Sequence, residues 1–259
     1  MKNREDSDKV NQRALRSARA EHEIQHGEWL AARDTEKIWG WDTPAGRLRA
    51  QRRATLVAQG AKLKTGDRVL EIGCGTGMFT EIFAASGATI VAVDLSKDLL
   101  DKARARNLPT DQVIFVEKPF EECDVDGPFD AVIGSSVLHH LEIDVALARI
   151  LELLKPGGFL SFAEPNMLNP QVFMERHFQF LPIFAYTSPD ETAFVRWSFA
   201  RKLRSVGFAD VTITPFDWLH PHTPPALIPT VRGLGRAIES IPFCREFSGS
   251  LYICGRRPS

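Results

Sequence analysis

The sequence predicts an α/β protein with a Rossmann-like, doubly wound sheet and helices on both of its faces. Three observations carry this. Short β-branched or apolar runs near 68–72, 89–93, 113–116, 130–134 and 159–163 alternate with stretches of helical spacing, the pattern of parallel strands joined by crossover helices. Residues 69–77, Val-Leu-Glu-Ile-Gly-Cys-Gly-Thr-Gly, run from a buried-strand pattern into a glycine loop, and helical spacing resumes at Met78. The second run closes on Asp94, at a strand's carboxyl end, where such sheets bind ligands.

Taken in order, residues 1–38 are dense in charge and alanine and read as a polar helical or partly disordered extension, solvated rather than part of the cleft. A single domain is expected over 39–259. Thr43-Pro44 gives an N-cap and a first-turn proline, opening a helix that carries Arg47, Arg49, Arg52 and Arg53 towards Gly60. An arginine run of this kind is usually a solvated face, although guanidinium also suits an acidic group on a ligand. Val145, Leu147, Ile150, Leu151 and Leu154 mark the helix before the Pro156-Gly157-Gly158 turn. Ser188 and Glu191 have capping-box spacing, with Val195, Phe199, Leu203 and Val206 as the buried stripe and Gly207 past the end. Residues 211–214 and 250–254 complete seven strands.

Composition narrows the function. A net charge of −1 argues against a general nucleic-acid surface, because such affinity comes from a basic excess. Cys74, Cys123, Cys244 and Cys254 form no C-x-x-C pair, so neither a zinc knuckle nor a disulfide framework is indicated, and a cytoplasmic setting is the simplest expectation. The first residues lack an apolar signal core, and no apolar segment approaches the roughly 20 residues that span a bilayer. His220 and His222 have too few neighbouring ligands to suggest a metal, and none is expected.

The glycine loop discriminates between nucleotides. A dinucleotide fingerprint requires a small residue at position 78, which is Met78. A phosphate-binding loop requires Lys-Ser/Thr where Met78-Phe79 stands. Glu71 would repel pyrophosphate but attract a cationic ligand. A nicotinamide dehydrogenase is therefore disfavoured. The loop resembles the first motif of class I S-adenosylmethionine-dependent methyltransferases, and the β-branched run ending at Asp94, the 129–141 strand and loop, and Leu154-Lys155-Pro156-Gly157-Gly158 fall at matching distances.

The resemblance covers roughly 39–165 and implies S-adenosyl-L-methionine as cofactor, a last strand that is antiparallel, and a cofactor site of Glu71, Gly73, Cys74, Gly75, Gly77, Asp94, Leu95, Phe120, Glu121 and Ser135. Glu71 is expected near the cationic methionine end and Asp94 at the ribose diol. His139, at the mouth of the fourth strand, is expected as a general base with Glu164 as its carboxylate, while His140 is expected to be structural. Residues 166–187 and 219–247, rich in Phe, Met, Leu and Pro, are expected as insertions forming an apolar acceptor pocket, with packing or a homodimer contact as the other reading. The implied function is methyl transfer to a small, fairly apolar acceptor at a hydroxyl oxygen. Nitrogen or carbon methylation, or cofactor binding without turnover, are the alternatives.

Overall fold

The computed structural model describes residues 19–180 and 191–259. Its described residues form a seven-stranded sheet in the order β3-β2-β1-β4-β5-β7-β6, with β1 Arg68–Ile72, β2 Thr89–Asp94, β3 Val113–Glu117, β4 Phe129–Ser135, β5 Leu154–Pro165, β6 Ala209–Phe216 and β7 Ser250–Arg256. β1 to β5 are mutually parallel, and β7 runs antiparallel to both β5 and β6. The order reverses between β1 and β4, so the crevice at the carboxyl ends of those strands is the expected ligand site.

Period-2 alternation sorts the strand residues onto two faces. Leu70, Ile72, Val91, Val93 and Val132 belong to one core cluster, whereas Val69, Ile90, Ala92, Ala131 and Ile133 belong to the other. The first is closed by α6 (Ile143–Leu153) and α8 (Arg196–Val206) through Leu147, Ile150, Phe199 and Leu203. The second is closed by α3 (Pro44–Gly60) and α4 (Met78–Ala84) through Ala54, Val57 and Phe83, with α5 (Lys97–Arg104) adding Leu100. α3 starts where its cap residues place it, the Thr43 hydroxyl accepting from Gly46 N at 2.9 Å.

Three expectations are corrected. The Pro156-Gly157-Gly158 turn lies within β5: Gly157 takes φ 78°, and its N–H donates to Arg257 O while Arg257 N donates to Gly158 O. α8 begins at Arg196, not near Ser188. Residues 188–190 lie outside the described residues, and Phe194 bonds Pro165 and Met167 through the backbone, so strand-like pairing prevails over capping-box spacing. α9 (Ile228–Glu239) buries Ile228 and packs Val231 on Ala45 and Leu219, but Leu234 is 60% exposed and Ile241 48%. In the 219–247 segment, expected as an apolar insertion, this helix thus buries its apolar residues mainly at its start. α10 (Pro242–Arg245) leads into β7.

The N-terminal segment is not a solvated extension where it is described. Residues 19–31 form a helix, α1, and α2 (Thr35–Ile38) follows. Leu30 and Thr35 are buried. A Cβ at Gly27 would lie 2.6 Å from Ser96 Oγ, so α1 is packed hard onto the turn after β2. Glu36 accepts from the Thr76 hydroxyl and pairs with Arg106, whose Nε donates to Thr76 O at 2.6 Å. These contacts pin α2 to the glycine loop. Among the described residues no helix is long and apolar enough to cross a membrane.

Candidate active site

A cleft of about 1130 Å³ opens at the carboxyl ends of β1, β2 and β4 and is roofed by α1, α2 and the segments after β5 and β6. Its floor is the glycine loop. Gly73, Gly75 and Gly77 all take positive φ, 66°, 52° and 73°, which side-chain-bearing residues rarely adopt. A Cβ at Gly73 would strike Val137 at 2.3 Å, and one at Gly75 would meet the Trp39 ring at 3.4 Å. The loop is therefore squeezed between the β4 loop and the N-terminal cover. Gly77, in contrast, faces Ala103 of α5. It shapes the loop from behind and does not line the cleft.

Asp94 fixes the loop from the next strand. Its Oδ2 accepts from Gly75 N at 2.8 Å and its Oδ1 from Ser96 N at 2.9 Å, and burial pushes its pKa up against those bonds. Asp94, Leu95, Cys74, Phe120, Glu121 and Ser135 all line the cleft. Phe120 is also part of the core. Glu121 accepts from Glu142 N at 3.0 Å, which anchors the far wall.

Glu71 departs from expectation. It is 1% exposed and lies behind the loop, outside the cleft lining. Its Oε2 makes no well-formed hydrogen bond. Burial raises its pKa to about 8, with the Thr80 hydroxyl offsetting part of that rise and the Asp94 charge adding to it. Glu71 is thus mainly neutral near pH 7, an uncharged acid beneath the loop.

The chemistry-bearing end is built from the turn after β4. Ser136 takes φ 57°, and the chain folds into a single tight turn over Leu138–His140. Glu164, at the end of β5 and fully buried, accepts from Val137 N and Leu138 N at 3.0 Å each through Oε1, and its Oε2 lies 2.7 Å from His139 Nδ1. Burial raises the Glu164 pKa, but the His139 contact and the two backbone donors bring it below the usual carboxylate value. Burial and the adjacent His140 ring hold His139 below the ordinary histidine value, against the pull of Glu164. Carboxylate and neutral imidazole are therefore the resting pair, with the proton on Nδ1 and Nε2 left as an acceptor. His139 lines the cleft; Glu164 stands behind it.

His140 serves otherwise. Burial lowers its pKa, yet Glu23, Glu191 and Glu164 raise it overall. Its Nδ1 lies 3.0 Å from Glu23 of α1 and its Nε2 3.7 Å from Glu191, while Arg176 pairs with Glu191 at 2.5 Å. Ligand atoms of His139, His140 and Glu191 come within 4.8 Å of one another; His140 and Glu191 are engaged by these charge pairs, and His139 is held through Nδ1 by Glu164. The His139 carbonyl accepts from both Arg19 and Thr192 at 3.1 Å. The turn that carries His139 is thus clamped by α1 on one side and by the 191–192 segment on the other.

Arg53 is the site residue least legible in the sequence. It is 3% exposed and donates from Nε to Ser135 at 3.2 Å, from Nη1 to Ser250 at 2.5 Å, and from Nη2 to Ser136 and Ala163 O at 2.9 Å each. One guanidinium joins the ends of β4, β5 and β7. No carboxylate hydrogen-bonds it among the described residues, and burial lowers its pKa to about 10. The solvated-face reading of the arginine run fails elsewhere as well: Arg52 forks onto Glu239, and Arg49 donates from Nε to Asp217 at 2.8 Å.

The acceptor wall is also corrected. α7 (Pro170–His177) turns Val172, Glu175 and Arg176 to the cleft. Phe173, Met174, Phe178 and Phe180 are exposed, Phe180 at 78%. Of the expected insertion, residues 181–187 lie outside the described residues. From the other insertion, Trp218, Leu219, Pro221 and two histidines, His220 and His222, reach the cleft.

This geometry meets its relatives at this point. Residues 70–160 match the family model described as a methyltransferase domain. Over those residues the chain is similar to class I S-adenosylmethionine-dependent methyltransferases. The chain is 35% identical over 133 residues to the ubiquinone biosynthesis O-methyltransferase of Xanthomonas axonopodis pv. citri, covering 49% of this chain and 56% of that protein. It thus spans little more than half the length of the curated relatives it matches. Among solved structures it is similar to the N-methyltransferase NodS of Bradyrhizobium japonicum with S-adenosyl-L-homocysteine (18% identity, TM-score 0.61, 91% and 98% of the two chains). It is also similar to the [4+2]-cyclase SpnF (23%, TM-score 0.55, 80% and 81%). Likeness at that level shows the fold alone.

The family's cofactor is S-adenosylmethionine, and the residues present fit it. The cleft offers a glycine floor that lacks the Lys-Ser/Thr of a phosphate-binding loop, an acidic strand end at Asp94, and a buried guanidinium at Arg53 with one of its five N–H groups unpartnered among the described residues. Glu71→Gln should raise the melting temperature relative to the parent as pH climbs from about 4.5 to above 8, since the raised folded pKa means ionisation of Glu71 weakens the fold across that window; parallel melting curves at all pH values would refute the buried neutral acid. His140, with a raised folded pKa, supports the α1 clamp fully below about 6.5 and loses that support as pH rises through its folded value. Amide exchange in residues 19–31 should therefore quicken at alkaline pH beyond its intrinsic rate, and His140→Gln should abolish the dependence.

Proposed function

We propose that the protein is a methyltransferase that moves the methyl group of S-adenosylmethionine to a hydroxyl oxygen of a small acceptor. The observation that carries the reading is the His139–Glu164 pair. A histidine that lines the cleft, held neutral by burial and with Nδ1 committed to a carboxylate, has Nε2 left to accept a proton. Methylation of an amine that is already a free base needs no such group. The O-methyltransferase relative supports the same atom type, and the neutral imidazole favours it.

When bound, the cofactor supplies an electrophilic methyl on a positively charged sulfur. The chain's part is to orient, to exclude water and to hold the proton. Asp94 would accept from the ribose hydroxyls while its backbone bonds keep it in register with Gly75. Arg53 would hold the carboxylate of the methionine end through its spare N–H. α1 and α2 would shut out water, which raises the worth of every charge inside. His139 Nε2 would take the acceptor's hydroxyl proton as the oxygen becomes nucleophilic, and the Glu164 charge would stabilise the imidazolium so formed.

Two outcomes follow. His139→Ala should lower turnover about 10²–10⁴-fold with affinity for S-adenosylhomocysteine nearly unchanged, and kcat/KM of the parent should be flat near neutrality with an acid limb below about 6.5, because protonation of His139 removes the base. Full turnover in folded His139→Ala, or a profile without that limb, would move the reading to nitrogen or carbon acceptors. Arg53→Lys should weaken S-adenosylhomocysteine by about tenfold or more in calorimetry, the loss of one desolvated charge-assisted bond at ~1.5–3 kcal/mol, and unchanged affinity would remove Arg53 from the cofactor site.

A further inference from the structure

Arg49 stands one helical turn before Arg53 on α3 and lines the same cleft, on the side of Trp41 and the segment after β6. Its surroundings are those of a held, half-used guanidinium. Nε donates to Asp217 Oδ2 at 2.8 Å, and the two side chains are 16% and 2% exposed. The Cζ lies 5.4 Å from the centroid of the Trp41 ring, so the plane is supported as well as tethered. The two terminal amino groups donate to no described residue.

Asp217 is itself immobilised. Its backbone has φ 80°, its Oδ1 accepts from Leu219 N, and its N–H donates to Glu239 at 2.8 Å. The carboxylate is thus shared between Arg49 and the backbone. It orients the fork by the Nε edge and leaves the Nη end for something else. The wall opposite, α7, presents Glu175 and Arg176 where an apolar lining was expected, and Arg176 is engaged by Glu191. Of the four arginines that line the cleft, Arg19 donates to the His139 carbonyl, Arg53 serves the strand ends and Arg176 an ion pair. Arg49 lines the cleft with both terminal amino groups unpartnered among the described residues.

We infer that the acceptor carries an anionic group, a carboxylate or a phosphate monoester, which Arg49 reads through its two terminal amino groups. This rests on the methyl-transfer reading above and replaces the fairly apolar acceptor expected from the sequence. Planar bidentate pairing of guanidinium with either anion gives the orientation a hydroxyl needs to face His139. Arg49 is then a specificity-determining residue, and it would act on acceptor affinity without serving the cofactor.

The test is calorimetric titration of the full chain saturated with S-adenosylhomocysteine. The probes are meta-hydroxybenzoate, meta-hydroxyphenylacetate and glycerol phosphate, each beside its neutral counterpart: the two amides and glycerol. At least one acid should bind about tenfold or more tighter than its neutral partner, and which acid does so separates carboxylate from phosphate. Arg49→Met should erase that preference, and Arg49→Lys, which keeps a charge beside Asp217 and protects folding, should keep only part of it. Affinity for S-adenosylhomocysteine should stay within about twofold in both variants. No preference for the acid across the set, whether both members bind or neither does, overturns the inference, as does a tenfold loss of S-adenosylhomocysteine affinity in Arg49→Lys, which would assign Arg49 to the cofactor. Failure of the parent to bind S-adenosylhomocysteine at all would instead strike the methyl-transfer reading.

Discussion

The carboxylate of Glu164 is the point on which the site depends. It is buried without a cationic partner, and its stability comes from two backbone N–H donors and one imidazole N–H. Burying a lone carboxylate costs several kcal/mol unless its lone pairs are filled, so the turn at Val137–His139 and the end of β5 must form together. That requirement sets the path of the β4 loop, presses Val137 against Gly73, and thereby constrains the glycine floor. One acid links the chemistry to the cofactor cradle.

Arg53 performs the complementary task from α3. With no carboxylate bonded to it, it is satisfied by three hydroxyls and one carbonyl on three strands. The strand ends that carry Glu164, Ser135 and Ser250 are held in fixed relation by a group whose positive charge also faces the cleft. A site of opposed but unpaired buried charges keeps its field for a ligand, which a direct ion pair between Arg53 and Glu164 would have cancelled. The N-terminal cover then rests on charge as well as packing, because His140 joins α1 to the 191–192 segment.

Much of this was legible in the sequence. Strand positions, the helix beginning at Pro44, the glycine loop, Asp94 and the pairing of His139 with Glu164 follow from periodicity, turn chemistry and the resemblance they support. Glu71 and Gly77 were placed at the ligand because a motif gives proximity along the chain, whereas the strand's pleat turns Glu71 to the far side and the helix start turns Gly77 to α5. Arg53 could not be separated from Arg47 and Arg52 by composition, since all occur on one charged helix. Only the sheet's edge order shows that the 53 position meets three strand ends. α7 misled for a related reason: its aromatic residues imply burial by type, but Val172, Glu175 and Arg176 share the face turned inward.

The most direct test of the central claim is the protonation state of His139 itself. Imidazole nitrogen-15 NMR on the full chain, with His139→Gln to assign the signals, reads which nitrogen carries hydrogen. The Glu164 clamp predicts a neutral ring near pH 7 with hydrogen on Nδ1 and none on Nε2, persisting as pH falls to below about 6.5. An imidazolium at pH 7, or hydrogen on Nε2, would contradict it and leave the cleft without a base.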